Sequence, residues 1–280
     1  MIKVSPDEYQ VFASYIRSVS GIALDSSKTY LLETRLVDLL AQTGSASFSE
    51  LYYKIKTDSS LELTKKLVDA ITTGETSFFR DGAPFELLQY KIIPDLVDKR
   101  KKTTSPGLPI PIRIWSAACS KGQEVYSIAM TLKEILGDLS AYNIRILGTD
   151  ISNKAVASAS LGYFSQLEVE RGLSPERIRR FLVKNESGWK ISDEIRSLAT
   201  FRRMNLLEDF SALGRFDIVF CRNVAIYFND DDRRKLFNNI GRVLEKDGYL
   251  LIGSTESILG FCPQFESKRY LRYVFYQFKQ

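Results

Sequence analysis

From residue 112 onward the sequence alternates between short apolar runs of strand character and amphipathic stretches of helical period, and few folds accept that pattern. "IRIWSAA" (112–118), "NIRILGTD" (143–150), "FDIVFCRN" (216–223) and "GYLLIGS" (248–254) are rich in branched and aromatic residues. Helical spacing falls between them at 122–136, 152–160 and 230–244. Strands that alternate with helices build a doubly wound, mainly parallel α/β sheet. "RYLRYVFYQF" (269–278) alternates like a late antiparallel strand. Ligands of such sheets sit beyond the carboxyl ends of the strands, so the residues that follow each strand are where chemistry is sought.

Residues 162–200 break the rhythm. A helix start at Ser174-Pro175 precedes strand-like pieces around a turn at Asn185-Glu186-Ser187-Gly188. The segment reads as a small β-rich insertion, and such grafted pieces serve recognition more often than chemistry.

Residues 1–74 read instead as a bundle of short amphipathic helices. The first has a full start signal, with Ser5 as N-cap, Pro6 at the first helical position and Glu8 closing a capping box. Tyr9, Phe12, Ile16 and Val19 follow at helical spacing, and Gly21 ends it. A second helix carries Leu32, Leu36, Leu39 and Leu40 and stops near Gly44. Ser47 and Glu50 form another capping box, and a fourth helix holds Leu63, Leu67, Ala70 and Ile71. Nothing in this bundle looks catalytic. A longer helix over 84–102 buries Phe85, Leu88, Ile92, Leu96 and Val97, and its end at Lys99-Arg100-Lys101-Lys102 reads as a solvated terminus that complements the helix dipole. The proposed division is a helical domain (1–82), a connecting helix and linker (83–111) and a sheet domain (112–280).

With 280 residues the chain is long enough for two domains. It contains no histidine, which sets aside zinc chemistry and Ser–His catalysis. Any reaction must run without a base near pH 7 or recruit another group. Three cysteines, Cys119, Cys221 and Cys262, do not make a disulfide framework and are expected as buried free thiols. No apolar run approaches the ~20 residues of a membrane helix, and the N-terminal residues lack a secretory pattern. The expectation is a cytoplasmic monomer without direct membrane insertion. The formal charge of +5 lies outside the near-neutral first 74 residues and falls short of a nucleic-acid footprint.

Three strand ends carry ligand-capable residues. In "WSAACSKGQE" (115–124) small residues make a tight turn into a helix, which lets backbone approach a ligand closely. It is not G-x-G-x-x-G, so a dinucleotide is disfavoured. Asp150 ends the second strand, where a carboxylate can accept both hydroxyls of a ribose; it could equally cap the next helix. Asn223 ends another strand and could bond an amino acid or adenine edge, or simply serve a turn. "TTGETSFFRD" (72–81) bridges the two regions with two aromatics and one arginine. Phe78 and Phe79 alone would suit a core, and Arg80 alone a surface ion pair. Together they read as a lid segment over the site.

With these segments in family order, the chain resembles the CheR family, the chemotaxis receptor glutamate methyltransferases. "TTGETSFFRD", "WSAACSKGQEVYSIAM", "GTDIS" and "FCRNVAIYF" carry the resemblance, and "RRMNLL" (202–207) and "GSTES" (253–257) fit it. It implies an N-terminal helical domain, a class I methyltransferase (Rossmann-like) sheet and an inserted β-subdomain. It implies S-adenosylmethionine as cofactor, S-adenosylhomocysteine as product, and chemoreceptor cytoplasmic helices as partners, with a receptor C-terminal tail at the β-subdomain and recruitment to receptor arrays. Carried over by motif, Thr76 and Arg80 contact the cofactor, Glu124 holds its amine and Asp150 its ribose. Asn205 and Leu206 border the adenine, and Asn223 and Val224 line the methionine end. Arg80 and Tyr227 lie near the methyl group and orient the incoming carboxylate. The sequence departs from the family pattern at Gly74, Gln123, Val125, Ala83-Pro84 and Ser254-Thr255.

The chemistry suits the composition. A glutamate acceptor has an ordinary pKa of about 4.3 and is already ionised near pH 7, so it needs no base. Two rival readings are a methyltransferase acting on a nucleic acid or a small molecule and a non-catalytic scaffold. Against nucleobase methylation, Asn223-Val224-Ala225-Ile226 lacks the Asn/Asp-Pro-Pro-aromatic turn typical of it.

Overall fold

The computed structural model describes residues 2–25, 29–186 and 188–279; Ser187 of the expected insertion turn lies outside them. The first helix, α1 (Pro6–Ser20), starts as the sequence requires: Ser5 accepts from the Glu8 N–H, Glu8 returns the bond, and Gly21 closes the helix in the left-handed region. The expected second helix is two, α2 (Thr29–Arg35) and α3 (Val37–Thr43), broken at Leu36 (φ −96°, ψ 2°). The break still leaves Leu32, Leu36, Leu39 and Leu40 in one core with α1. In α4 (Phe48–Thr57) Ser47 caps Glu50, but the Glu50 carboxylate takes the Ala46 N–H, so the box closes one residue early. α5 (Glu62–Ile71) completes the bundle.

The single helix expected over 84–102 is interrupted. α6 (Ala83–Leu87) passes through one π-turn, Leu88–Ile92, into α7 (Ile93–Thr103). Pro94 explains this: it has no N–H for the Tyr90 carbonyl, and the ladder widens so that the Ile93 N–H reaches Leu88 O.

The remaining elements are β1 (Ile110–Ala117), α8 (Gln123–Leu136), β2 (Tyr142–Asp150), α9 (Asn153–Leu161), β3 (Tyr163–Phe164), α10 (Gln166–Glu170), α11 (Pro175–Phe181), β4 (Leu182–Asn185), β5 (Gly188–Ile191), α12 (Asp193–Arg196), β6 (Ala199–Arg203), β7 (Phe216–Cys221), α13 (Asp230–Val243), β8 (Leu244–Ile252), β9 (Phe265–Tyr270) and β10 (Tyr273–Phe278). Seven strands form one sheet in the order β6-β2-β1-β7-β8-β10-β9. The pairs from β6 to β8 are parallel, and β10 runs antiparallel to both β8 and β9. The strand order reverses between β1 and β7, and that is where a doubly wound sheet opens a crevice.

Three expectations change here. The late strand at 269–278 is a hairpin, β9 and β10, turned at Leu271. Ala199 and Thr200, expected at the end of the insertion, instead begin β6 of the main sheet. The insertion's own sheet has the order β3-β5-β4. Arg100, read as part of a solvated helix end, is a clamp: its guanidinium meets Asp217 of β7 at 2.6 Å and Asp247 of β8 at 3.0 Å, and Asp217 also accepts from the Arg113 N–H. The three cysteines are free and buried. No helix among the described residues is long and apolar enough to cross a membrane.

The bundle meets the sheet at Gly21 (φ 77°), where an added Cβ would stand 2.3 Å from Leu207 Cδ1. Both the left-handed backbone and this crowding oppose a side chain. Gly21→Ala is therefore expected to cost ~1–3 kcal/mol of stability, read as a fall in the denaturant midpoint at unchanged m-value.

Candidate active site

The crevice beyond β1 and β7 is a cleft whose opposite wall comes from the helical bundle. Small residues after β1 make the turn that the sequence suggested. Ala118 (φ 61°) and Ser120 (φ 50°) are left-handed, and the Ser120 N–H donates to Asp150 Oδ2 at 2.8 Å. Asp150 does not cap α9; Ser152 does, accepting from the Ala155 N–H. Asp150 Oδ1 instead accepts from the Ser152 N–H at 3.0 Å. Burial pushes its carboxyl pKa up, and the backbone N–H groups of Ser152 and Ser120 counter part of that.

Glu124 sits in the first turn of α8 with both oxygens engaged. Oε1 accepts from Ser116 Oγ at 2.8 Å and Oε2 from Arg222 Nη1 at 2.7 Å. After β7, Asn223 is left-handed (φ 57°). Its N–H and that of Gly253 donate to Glu256 Oε2 at 2.7 and 2.8 Å, and the Ile226 N–H reaches Glu256 Oε1 at 3.2 Å. Asn205, after β6, accepts from the Leu207 N–H and donates to Val19 O at the end of α1. Ala23 donates from its N–H to the carbonyl of Tyr227 at 2.9 Å, a second tie between bundle and sheet.

The bridging segment 72–81 is a pinned wall, and its aromatics turn away from the cleft. Phe78 is buried edge-to-face on Phe164 at 4.8 Å, and its carbonyl lies where a Cβ at Gly172 would clash. Phe79 (φ 51°) donates from its N–H to Ser127 Oγ, with its ring under the Arg177 guanidinium at 3.7 Å. The two phenylalanines thus take the anchoring role each would have alone, and Arg80 faces the cleft. Its Nη1 donates to Glu75 O at 3.1 Å, and among the described residues it makes no ion pair.

Thr76, Arg80, Glu124, Asp150, Asn205, Leu206, Asn223, Val224 and Tyr227 all line this one cleft. Sequence reasoning missed further residues there. Arg222, which lines it, stood inside a quoted motif without a role; so did Glu256, which does not line the cleft but holds the backbone of Asn223, Ile226 and Gly253. Ala23 and Arg35 line the cleft from a bundle in which nothing looked functional. Cys119 lines it too, but burial first, then Asp150 and Glu124, push its thiol pKa well up, so it is no nucleophile.

The donor set suits a cationic amino acid joined to a nucleoside. Two carboxylates face the cleft, Asp150 at the tip of β2 and Glu124 in the first turn of α8; apolar Ile151 and Leu206 offer a face for a base, and the β1 turn has no phosphate-cradling glycine repeat. Five of the seven non-glycine residues with positive φ among the described residues, Phe79, Asp81, Ala118, Ser120 and Asn223, belong to these loops. Such backbone persists where the surroundings hold it for function.

Comparison with known proteins gives the same picture. The family model described as "CheR methyltransferase, SAM binding domain" matches residues 74–274, and "CheR methyltransferase, all-alpha domain" matches residues 7–72. "Chemotaxis protein methyltransferase 1" of Vibrio cholerae is 39% identical over 281 residues, covering 99% of each chain. "Chemotaxis protein methyltransferase 1" of Pseudomonas aeruginosa is 39% identical over 256 residues, covering 90% of each.

Proposed function

The chain belongs to the CheR methyltransferase family, and from that premise we propose how its cleft carries out the family's reaction. It is an S-adenosylmethionine-dependent protein-glutamate O-methyltransferase that forms methyl esters on chemoreceptor glutamates. The rival readings, a nucleic-acid or small-molecule methyltransferase and a scaffold, gain nothing from the site.

Bound in the cleft, S-adenosylmethionine supplies a sulfonium methyl. The chain's own residues bind and align. Glu124 takes the ammonium, and the Ser116 and Arg222 bonds fix the direction its carboxylate faces. Asp150 accepts from the ribose hydroxyls, and Asn205 and Leu206 border the adenine. Thr76, Asn223 and Val224 line the methionine end. Arg80 and Tyr227 orient the incoming glutamate, which is ionised at neutral pH and needs no proton removed. Proximity and alignment of this kind can be worth ~7–11 kcal/mol. Arg80 orients rather than clamps, since a tight bidentate pair would occupy the lone pairs that must attack.

The observation that carries this reading is the convergence of nine residues from five separate segments on one cleft at the strand-order reversal. We propose receptor cytoplasmic helices as the docking partner, a receptor tail at the β3-β5-β4 sheet, a monomeric cytoplasmic enzyme recruited to receptor arrays, and the division of domains at residues 82 and 111. The test is transfer of a tritiated methyl group to a receptor cytoplasmic fragment, followed by mild base. Label released as methanol is expected. Base-stable label, or label on nucleic acid alone, refutes the assignment.

A further inference from the structure

We infer that Arg222 is a positioning residue for the transfer: one buried guanidinium sets the register between the carboxylate that receives the cofactor's ammonium and the chain segment that presents Arg80. This rests on the roles of Glu124 and Arg80 given above. The Arg222 side chain is only 2% exposed, against 13% for Glu124 and 36% for Asp81. Its Nη1 donates to Glu124 Oε2 at 2.7 Å. Its Nη2 donates to Asp81 Oδ2 at 2.6 Å and to the Arg80 carbonyl at 3.0 Å. The two ends of one planar fork therefore hold two elements that are far apart in sequence, α8 and the bridge at 80–81.

Geometry and burial separate this from an ordinary internal ion pair. The Arg80 carbonyl is fixed between two left-handed residues, Phe79 (φ 51°) and Asp81 (φ 68°), so a small shift of the fork would re-aim the Arg80 side chain. Glu124 is fixed from the other side by Ser116, which leaves no slack in that arm. Arg222 Nε is buried with no partner, an arrangement that stability alone does not favour. A lysine offers a compact ammonium in place of the planar fork and cannot span the same acceptors.

The test compares Arg222→Lys, Asp81→Asn and Glu124→Gln in the full chain. It measures the Kd of S-adenosylhomocysteine by calorimetry, kcat for methyl transfer to a receptor fragment, and Tm. Arg222→Lys is expected to weaken binding and lower kcat by about tenfold each, in line with the loss of an outer residue that orients a binding group. Asp81→Asn is expected to lower kcat with Kd nearly unchanged, a split that a merely structural arginine would not produce. Arg222→Lys combined with Glu124→Gln should lose less affinity than the two single losses predict, because both act through one contact.

Wild-type Kd and kcat in Arg222→Lys, or full additivity in the combined variant, would overturn the inference. If Glu124→Gln alone leaves Kd unchanged, the Glu124 assignment fails. Arg222 is then judged on whether its variant and Asp81→Asn lower kcat non-additively. Should Arg222→Lys not fold, Asp81→Asn carries the test, and an unchanged kcat there refutes the coupling.

Discussion

Replacing Arg80 with alanine is expected to lower kcat by about 100-fold, the scale of a mispositioned reactant, with little change in Tm. Arg80 is half-buried, and among the described residues its guanidinium donates only to the Glu75 carbonyl at 3.1 Å and stabilises no buried charge, so its loss leaves the fold intact. The segment stays in place because Phe78, Phe79 and the Arg222 bonds anchor it from behind. Because the reaction consumes an already ionised carboxylate, the loss should be the same at every pH at which the receptor glutamate is charged. Arg80→Lys keeps the charge without the fork and should fall between wild type and Arg80→Ala. Steady-state kinetics on a receptor fragment decide this; normal kcat in Arg80→Ala removes the proposed role.

The parts of this molecule that were legible in its sequence are those where local chemistry and tertiary context agree. Ser5-Pro6-Glu8 could start only a helix, and the apolar run of β7 is buried on both faces as a central parallel strand requires, with β1 and β8 buried likewise over Ile114–Ala117 and Gly248–Leu251. Asp150 and Asn223 could be found because strand ends are where a doubly wound sheet binds ligands. The misses lie where context overrides pattern. β6 is an exposed edge strand whose "ATFRR" has too little apolar periodicity to separate it from the insertion before it. The π-turn before Pro94 lies inside an unbroken helical pattern. Arg222 and Glu256 escaped notice because decisive partners, Asp81 and Glu124 for one and the Asn223 and Ile226 N–H groups for the other, come from distant segments. Arg100 misled because a basic run at a helix end suits solvent just as well.

Asp150 is the position where stability and binding should part. Its folded pKa stands above the ordinary aspartate value of 3.8, with burial as the leading cause, offset by the backbone bonds and reinforced by Asp69. A raised folded pKa means the fold favours the protonated form. Ionised Asp150 therefore subtracts from stability above that window, and the penalty fades as pH falls from the folded pKa toward 3.8. Cofactor affinity should run the other way, falling with pH through the same window, because only the carboxylate accepts from both ribose hydroxyls. Asp150→Asn isolates the two effects. Its amide must turn a donor toward the Ser120 or Ser152 N–H, and one bond there is lost at ~1–3 kcal/mol. Removing a buried charge offsets that cost, so Tm at neutral pH should move little. Binding loses at least one charge-assisted bond and gains a mismatched donor, so S-adenosylhomocysteine should bind about 100-fold more weakly. Calorimetry and thermal unfolding across acid and neutral pH measure both. Wild-type affinity in Asp150→Asn would show that the ribose is held elsewhere, and an acid loss of affinity that persists in the variant would show that another group titrates.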